Sequence, residues 1–551
     1  MPFRCRTTAP RQEGPHVRPR PRSRLVAAVL TIVATATACA STPGSPPPRV
    51  GAVILADGYE LGGYNPVAGH GEAGESKIYD GLLRLIGGEA MPGFEPALAA
   101  EMPTVSDDGL VWTVTVRQGV TFTDGTAFDA TDIAATYGAI LDPASASPLA
   151  TSMDMIEAVT AEDPHRVRFD LKYPYAAFPT KLLLGIAPAE RLSGGPAVES
   201  PLNTDPVGTG PYTLVSLRPD QAVFEANEDY WDGAPQIEHL TVVHVPDDNA
   251  RAQRLVAGEV DGANLPPRLA ATFTERPGFE VASNTSADWR GVSLPAGNPV
   301  TADPAIRAAL NRAVDRQAIV DHVLAGYGRP ASTPLPEVYG AAYEPTAAFE
   351  FDPAAAEQIL DAAGWIRSAD GVREKAGVRA EFTVMYFPED TLRRDLAQAF
   401  AADADRIGVR VSVQPVDRAS LPDRLPVEAG LLGGGDLPYD PDPQIYSTLH
   451  SSYARPGVGS PYDNASGYVN PVVDAALDAA RRTTDPDERA AQYRSVQSAY
   501  VADPGYVMLV FLDHTYVSRD TEYTGSTPIL EPHSHGASWG PWWNLREWTR
   551  P

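Results

Sequence analysis

The sequence predicts an α/β protein built from at least two lobes. Residues 110–117 alternate apolar and polar side chains, which is typical of a strand that is buried on one face. From Asp303 onward, apolar residues recur at spacings of three and four, which predicts helix. Strand and helix patterns interleave along the chain, and this order favours α/β lobes. A length of 551 residues exceeds what one hydrophobic core usually supports, so we expect at least two lobes.

The strand predictions rest on apolar runs and on alternation. A continuous apolar run at 50–56 predicts a buried strand. Residues 208–212 (GTGPY) predict a tight turn that leads into a further pair of strands. The remaining predicted strands lie at 110–117, 156–161, 167–171, 380–386, 409–414 and 506–511.

The helix predictions rest on the 3.6-residue period. The segment 76–85 places its apolar residues on one side, which predicts an early helix. A helix at 130–141 could be capped by Thr126 or Asp129, because either side chain can accept a hydrogen bond from the first free N–H groups. The remaining predicted helices lie at 353–363, 392–407, 472–483 and 486–501.

The N-terminus has the pattern of a secretory leader. Seven arginines and one acid precede an uncharged apolar run that begins at Leu25 and is shorter than the roughly 20 residues of a spanning helix. The run ends at Ala36-Thr37-Ala38-Cys39, which resembles a bacterial lipobox, although Ala36 stands where Leu is usual. Ordinary cleavage, which would leave Cys39 as an idle thiol, is the alternative. We expect Cys39 to carry the lipid anchor, because the rest of the mature chain has no cysteine.

The charge of the chain excludes polyanionic partners. It carries 44 basic and 71 acidic residues, and without its predicted leader it keeps 37 basic and 70 acidic ones. A surface that acidic repels nucleic acid and anionic lipid. We therefore expect a soluble protein that binds no nucleic acid and contacts the membrane only through its anchor.

No catalytic or nucleotide-binding pattern is complete. Residues 69–74 match G-x-G-x-x-G but do not directly follow a strand, as a dinucleotide fingerprint requires. The acids within 440–442 lack the glycine and glutamate spacing of an EF-hand. His514, His533 and His535 could ligate a metal, but no Cys or H-E-x-x-H frame supports them, and a solvated loop is the simpler interpretation. We expect a binding protein without enzymatic activity, metal or cofactor.

A series of short motifs resembles the family 5 extracytoplasmic solute-binding proteins, which are the oligopeptide, dipeptide and nickel receptors of ABC importers. The most recognisable stretch is 117–126 (RQGVTFTDGT), followed by 129–133 (DATDI). Further matches, in the order that the family presents them, are 64–66 (YNP), 78–82 (IYDGL), 206–212 (PVGTGPY), 258–261 (GEVD), 306–316, 362–365 (AAGW) and 464–468 (NASGY).

The resemblance implies a periplasmic-binding-protein-like type II fold, with two α/β lobes joined by a hinge plus an inserted third domain. Ligand would lie between the first and third domains, which would close on it. The implied boundaries are a signal peptide at 1–38, a lipid-anchored linker at 39–49, a discontinuous domain I at 50–88, 206–292 and 508–551, an inserted domain II at 89–205, and domain III at 293–507.

The resemblance also implies ligand-binding residues. In peptide-binding members, an Asp within W-x-x-D-Y-x-x-P pairs with the α-amino group of the peptide. In the matching region here, 431–441, Asp436 or Asp440 could do so, although the family's Trp is replaced and a solvated loop is the alternative. The ligand-binding candidates, which include residues near the presumed crossover and cleft loops, are Asp436, Asp440, Tyr439, Tyr64, Trp289 and Arg290.

One departure bears on the ligand. Dipeptide receptors place a carboxylate-binding Arg near the strand that here reads 384–388, and no Arg stands there. Arg393 and Arg394 follow in a helical setting that suggests a surface face. The missing Arg weakens a strict dipeptide hypothesis and leaves longer peptides open.

The expected function is therefore that of an exported, lipid-tethered, monomeric receptor, which captures peptides and delivers them to the permease subunits of an ABC importer. The alternatives are a receptor for nickel chelates, oligosaccharides or opines, a secreted hydrolase, and a structural envelope lipoprotein. The expected location is extracytoplasmic, on the outer face of the cell membrane.

Overall fold

The computed structural model describes residues 51–88, 90–192, 194–455, 458–519, 523–533 and 536–550. The predicted signal peptide, the linker, Cys39 and His535 lie outside these ranges. Within them, no helix has both the length and the apolar character needed to cross a bilayer.

The secondary structure alternates between strands and helices, which confirms the predicted α/β class. The strands are β1 (Ala52–Asp57), β2 (Leu83–Ile86), β3 (Gly93–Pro96), β4 (Thr104–Val105), β5 (Val111–Thr115), β6 (Ile156–Asp163), β7 (Arg166–Leu171), β8 (Tyr212–Arg218), β9 (Gln221–Ala226), β10 (His239–His244), β11 (Gly262–Asn264), β12 (Phe279–Ser293), β13 (Gly328–Pro330), β14 (Ile366–Arg367), β15 (Arg373–Lys375), β16 (Val378–Arg379), β17 (Glu381–Tyr386), β18 (Arg410–Pro415), β19 (Ala429–Gly434) and β20 (Tyr506–Arg519). The α-helices are α1 (Ala130–Leu141), α2 (Asp248–Ala257), α3 (Pro267–Ala270), α4 (Pro304–Ala313), α5 (Arg316–His322), α6 (Pro353–Ala362), α7 (Thr391–Arg406), α8 (Leu421–Arg424), α9 (Pro441–Leu449), α10 (Pro471–Arg482) and α11 (Pro486–Ala502).

One mixed sheet of 11 strands runs through the molecule in the order β18-β17-β19-β12-β20-β11-β1-β10-β9-β8, with β13 paired to β20. In its first part, β1 is parallel to both β10 and β11. In its second part, β17 is parallel to both β18 and β19. The antiparallel pairs β11–β20, β20–β12 and β12–β19 join the two parts. The two sets of parallel strands therefore run in opposite directions.

The two long strands β12 and β20 connect the parts of the sheet. They pair with each other over nearly their whole length, with a register shift between Thr285 and Trp289. The start of β20, residues 506–512, is buried throughout, because neighbouring strands and helices cover both of its faces. This burial explains its continuous run of apolar side chains.

A separate sheet has the order β4-β5-β7-β6 and packs against α1. The alternation at 110–117 correctly predicts β5, and α1 matches its predicted bounds. Asp129, rather than Thr126, caps α1: its side chain accepts a hydrogen bond from the backbone N–H of Thr131, 2.7 Å away. The side chain of Asp132 in turn accepts a hydrogen bond from the backbone N–H of Asp129, which completes a capping box.

The predicted helix at 76–85 is wrong. The segment forms a loop followed by β2, because its backbone carbonyl groups bind a neighbouring segment instead of their own helix. The N–H of Gly210 donates to the carbonyl of Ile78, and the N–H of Tyr212 donates to the carbonyl of Lys77. Gly81 also lies so close to the backbone of Leu183 that any side chain would collide there. Apolar spacing alone could not reveal these tertiary contacts.

The other predicted helices and strands are present, and their ends lie within a few residues of the predicted ones, except that β20 continues to Arg519 instead of ending at 511. The apolar core divides into several clusters. The largest joins β1 and the N-terminal loops to the four-stranded sheet, while a second packs α4, α6 and α7 against the start of β20. The boundaries of the three predicted domains stay predictions.

Candidate ligand-binding cleft

A cavity of about 710 Å³ lies where the two sets of parallel strands end. On one side it is lined by residues that follow the carboxyl ends of β1, β10 and β11, namely 58–60, Pro246, Asp248, Arg251 and 265–267. On the other side it is lined by residues that follow β17 and β18, namely 389–393 and Arg418. Crevices beyond the carboxyl ends of parallel strands are the usual ligand sites of open α/β sheets. Here two such edges contribute to one cavity.

The wall between the two edges comes from the connecting strands. Residues 512–515 of β20 and Arg290 of β12 line the cavity. Arg290 is 2% exposed and forms an ion pair with the fully buried Asp288. Burial lowers the pKa of Arg290, and Asp288 partly offsets this effect. Gly433 on the neighbouring β19 permits this packing, because a Cβ there would collide with the guanidinium.

Arg393 lies in the first turn of α7 and lines the same cavity. Its side chain is buried, so the prediction of a surface position is wrong for Arg393. Asp390 caps the helix and forms an ion pair with the Arg393 guanidinium, 2.5 Å away. Burial opposes the charge, but Asp390 and Asp288 hold the pKa of Arg393 above its usual value.

The two buried arginines retain hydrogen-bonding capacity. The Nε atoms of Arg290 and Arg393 are buried and have no hydrogen-bond partner among the residues that the structure describes. Arg418 adds a third positive charge at the cavity, and its guanidinium lies 3.9 Å from the centre of the Phe387 ring. A fourth, Arg251, donates to the carbonyl groups of Val245, Pro246 and Asn264, so it holds the strand ends together.

A buried network of charged groups lies behind Arg290, at the register shift of β12. Asp288 accepts hydrogen bonds from His514 at 3.0 Å and from His533 at 2.7 Å. His514 also contacts Glu531 at 2.7 Å. Burial opposes the charge of His514, but the bonds to Asp288 and Glu531 raise its pKa to about 9. The network joins β12, β20 and the segment 531–533.

This network changes the interpretation of His514 and His533. His533 does not lie in a solvated loop, because it is bonded to Asp288 and lies 3.0 Å from Arg290. Across the described ranges, no three His, Cys, Asp or Glu side chains are grouped so that they could hold a metal ion.

A second, smaller cavity of about 200 Å³ lies beside the first. The two cavities share Tyr59 and Glu60, which follow β1. Aromatic side chains and a few titratable groups line the smaller one: Tyr64, His70, Phe224 and Trp539, together with Asp57, Glu75 and Lys77.

The predicted ligand-binding residues lie in different parts of the structure: in the cavity walls, in the buried interior and at the surface. Arg290 lines the large cavity, and Tyr64 lines the small one. Trp289 is buried, and its ring lies 5.8 Å from that of Tyr506. Tyr439 is buried as well. Asp436 lines neither cavity, but it is exposed and follows the carboxyl end of β19, at the same edge of the sheet as the residues after β17 and β18.

Asp440 and its neighbour Asp442 have arginine partners. Asp440 caps α9 and accepts hydrogen bonds from Arg489 at 2.5 and 2.7 Å. Asp442 is fully buried and binds Arg481 at 2.8 and 2.9 Å. These ion pairs tie α9 to α10 and α11.

The sequence predictions did not include Tyr59, Arg393 and Arg418. A usable signal was present, because each of these residues follows the carboxyl end of a correctly predicted parallel strand. Arg393 was predicted to lie at the surface because it belongs to a helical segment, but a helical pattern does not reveal which end of the helix faces a cavity.

Comparison with known proteins gives consistent results. Residues 93–455 match the family model for bacterial extracellular solute-binding proteins, family 5 Middle. Protein XP55 from Streptomyces lividans is 41% identical over 94% of both chains. The oligopeptide-binding protein AppA from Bacillus subtilis is 26% identical over 74% of this chain and 76% of its own.

Solved structures show the same fold. The structure of NikZ from Campylobacter jejuni in complex with Ni(L-His) matches with a TM-score of 0.80 and 28% identity, over 91% of this chain and all of that one. This likeness confirms the predicted periplasmic-binding-protein-like type II fold. The matching family model and AppA are both named for binding rather than for an enzymatic activity. The chain belongs to the bacterial extracellular solute-binding proteins, family 5.

Proposed function

We propose that this protein is the receptor of an ABC importer and that it captures peptides in the large cavity. The observation that carries the proposal is that cavity, which two opposed sets of strand ends frame and which charged groups of both signs line. Its volume of about 710 Å³ falls within the range of about 300–1,000 Å³ that is typical of small-ligand sites. A short peptide, which carries both charges and hydrogen-bonding groups, suits such a lining.

The charged termini of the peptide have candidate partners. Asp436 is exposed at the cleft edge of β19, and its carboxylate is suited to the α-amino group. Arg290 and Arg393 present unused Nε–H groups, which are suited to a carboxylate. Both arginines are already buried, so a carboxylate there would be shielded from water and bound more strongly than at the surface.

The other predicted residues have structural contacts that suggest supporting roles. Asp440 is engaged by Arg489 and by the N-terminus of α9, so we assign it to the fold. Trp289 packs beneath the cleft strands, which suits support of Arg290 rather than direct contact. Tyr64 lines the smaller cavity, whereas Tyr439 lines neither cavity and is buried in the apolar core, so we assign Tyr439 to the fold.

Delivery to a permease completes the proposal. The N-terminal pattern supports export and lipid attachment at Cys39, followed by a proline-rich spacer that leaves the receptor free to reach the permease. A tether raises the local concentration of receptor at the importer. We further propose that the receptor acts as a monomer and closes on its ligand by bending β12 and β20. Mass spectrometry of the mature N-terminus would reveal the lipid, and an unmodified Cys39 would remove the anchor from the proposal.

A thermal-shift screen tests the ligand class. Peptides of two to five residues, oligosaccharides and nickel chelates are each added in excess to the purified protein. A ligand at about 100 times its Kd stabilises the folded state by about 2.7 kcal/mol, which should raise Tm by a few degrees. We expect peptides to do so, and stabilisation by a sugar or a nickel chelate alone would contradict the proposal.

Asp436→Asn is the matched variant for this screen. It should weaken binding of peptides with a free α-amino group, while N-acetylated peptides should bind wild type and variant alike. Asp405→Asn is the control, because Asp405 is also an exposed aspartate but lies at the far end of α7, whose first turn lines the large cavity. Equal binding of free and acetylated peptides to wild type would exclude the role of Asp436.

A further inference from the structure

Glu75 is a half-buried residue, and one of its two carboxylate oxygens has unused bonding capacity. Its Oε2 atom is buried and has no hydrogen-bond partner within the part of the chain that the structure describes. Burial is the main cause that raises the pKa of Glu75 to about 7, and Lys77 only partly offsets it. A buried acceptor without a donor is costly to the fold. Such a group in a cavity calls for a partner from outside the chain.

The nearby positive groups do not serve as that partner. The ammonium of Lys77 donates to the carbonyl groups of Ser538 and Trp543, at 3.1 and 2.6 Å. Burial lowers the pKa of His70 to about 4, so its imidazole is neutral near pH 7. The other charged residues that line the small cavity, Asp57 and Glu60, are acids. The cavity therefore favours a cation over an anion.

The walls of the small cavity suit an apolar chain that ends in such a cation. Tyr64 packs edge-on against His70 and Phe224, with ring centres 5.2 and 5.9 Å apart. The indole N–H of Trp539, also in the wall, is buried and has no partner among the described residues. Aromatic faces attract cations, and apolar walls accept a methylene chain. At about 30 Å³ per water, 200 Å³ corresponds to roughly seven water molecules, which is room for one side chain.

The small cavity is within reach of a ligand in the large one, because Tyr59 and Glu60 line both. We propose that the small cavity is a side-chain subsite of the cleft, in which the Glu75 carboxylate binds the ammonium or guanidinium group of a basic residue of the ligand. This inference rests on the proposed function, because it assumes that a peptide occupies the large cavity. It adds a preference for peptides that carry Lys or Arg at one position.

Calorimetric titration with matched tripeptides tests the subsite. Each of the three positions of Ala-Ala-Ala is replaced in turn by Lys or by norleucine, which keeps most of the apolar chain and lacks the charge. A charged hydrogen bond contributes about 1.5–3 kcal/mol, so at one position the Lys peptide should bind at least about tenfold more tightly. Equal affinity of Lys and norleucine peptides at every position would overturn the subsite and leave the receptor standing. Failure of every peptide to bind wild type would instead overturn the proposed function.

Glu75→Gln should remove the preference for Lys while norleucine peptides bind as before. Glu228→Gln is the control, because Glu228 is an exposed acid that lines neither cavity, and this variant should keep the preference. An equal loss in both variants would show that general charge attraction, rather than Glu75, selects the basic residue. The melting temperature of ligand-free Glu75→Gln should not fall, because the change removes the charge of a carboxylate whose Oε2 atom has no hydrogen-bond partner among the described residues. A fall would assign Glu75 to the fold and overturn the subsite.

Discussion

Arg290 and Arg393 are the residues in which the chemistry of the cleft is most concentrated. Each is buried at the cavity wall, where loss of hydration opposes its charge, and each is held by an aspartate of its own segment. The positive charge of Arg393 also lowers the pKa of Arg290, so the two guanidinium groups interact. A carboxylate placed against both would relieve that repulsion and engage the unused Nε–H groups.

Replacement of Arg393 tests this role. Arg393→Gln should weaken binding of peptides with a free carboxyl terminus by about tenfold or more, because a charged hydrogen bond is lost in a shielded site. Peptides with an amidated carboxyl terminus should bind wild type and variant alike. Calorimetry measures both, and Arg394→Gln is the control, since Arg394 is the next residue of α7 but has a side chain that is 43% exposed. Unchanged affinity in Arg393→Gln would place the carboxylate elsewhere.

His514 gives the fold a dependence on pH. Its pKa is about 9 in the folded protein against 6.5 in the unfolded chain, so protonation favours folding. This stabilisation is complete below about pH 6.5 and is lost as the pH rises through 9, with a size on the order of 3 kcal/mol at about 1.36 kcal/mol per pKa unit. The charged and titratable groups around His514 are Asp288, Glu531, Asp513, Arg290, His533 and Tyr516.

Chemical denaturation at several pH values measures this effect. The free energy of unfolding of wild type should fall between pH 6.5 and pH 9.5. In His514→Asn it should be lower at pH 6.5 and should change less with pH. Because other groups also titrate in this range, the difference between the two proteins is the relevant quantity. A difference that is constant from pH 6.5 to pH 9.5 would show that His514 is not charged in the folded protein.

At the scale of residues, the sequence indicated which side chains could bind a ligand better than it indicated whether those side chains are buried. Arg290 and Tyr64 were predicted to bind ligand because they lie near presumed crossover and cleft loops, and in the structure they line the large and the small cavity. Arg393 was misplaced because its burial depends on the loop after β17 and on residues of β12, which are far away in the sequence. Glu75 carried no local signal, because some of the residues that share its cavity, such as 537–539, are far away in the sequence.

At the scale of elements, the close packing of two loops replaces the predicted helix at 76–85. The N–H of Gly210 bonds to the carbonyl of Ile78, and a Cβ at Gly208 would collide with the same carbonyl oxygen. The loop at 208–212 therefore fixes the segment before β2. Elements formed by local pattern, such as α1 with its capping box, were predicted to the residue. Elements formed by such tertiary contacts were not.

The effect of Gly208→Ala tests this packing. The added methyl group should lower the free energy of unfolding by about 2 kcal/mol or more, because it overpacks a rigid backbone contact. Gly138→Ala is the matched control, because Gly138 is exposed in α1 with open space around its Cα. That change should stabilise the protein by up to about 1 kcal/mol through helix propensity. Equal effects of the two changes in urea denaturation would contradict the described packing.

At the scale of the whole molecule, two long strands hold both halves of the cleft. β12 and β20 link the parallel strands of the first part to those of the second, and the network around Asp288 lies where their register shifts. A ligand that contacts strand ends on both sides stabilises the arrangement in which they are close. The order of the sequence motifs predicted the overall architecture. Only the structure reveals that the two sets of parallel strands end opposite each other at one cavity.

The crystal structure of the protein bound to the peptide that stabilises it most would test the central claim directly. We predict electron density for the peptide in the large cavity, with its carboxyl terminus at Arg290 and Arg393 and its amino terminus at Asp436. Peptide density outside this cavity, or a large cavity that stays filled with solvent while the peptide binds elsewhere on the surface, would contradict the claim.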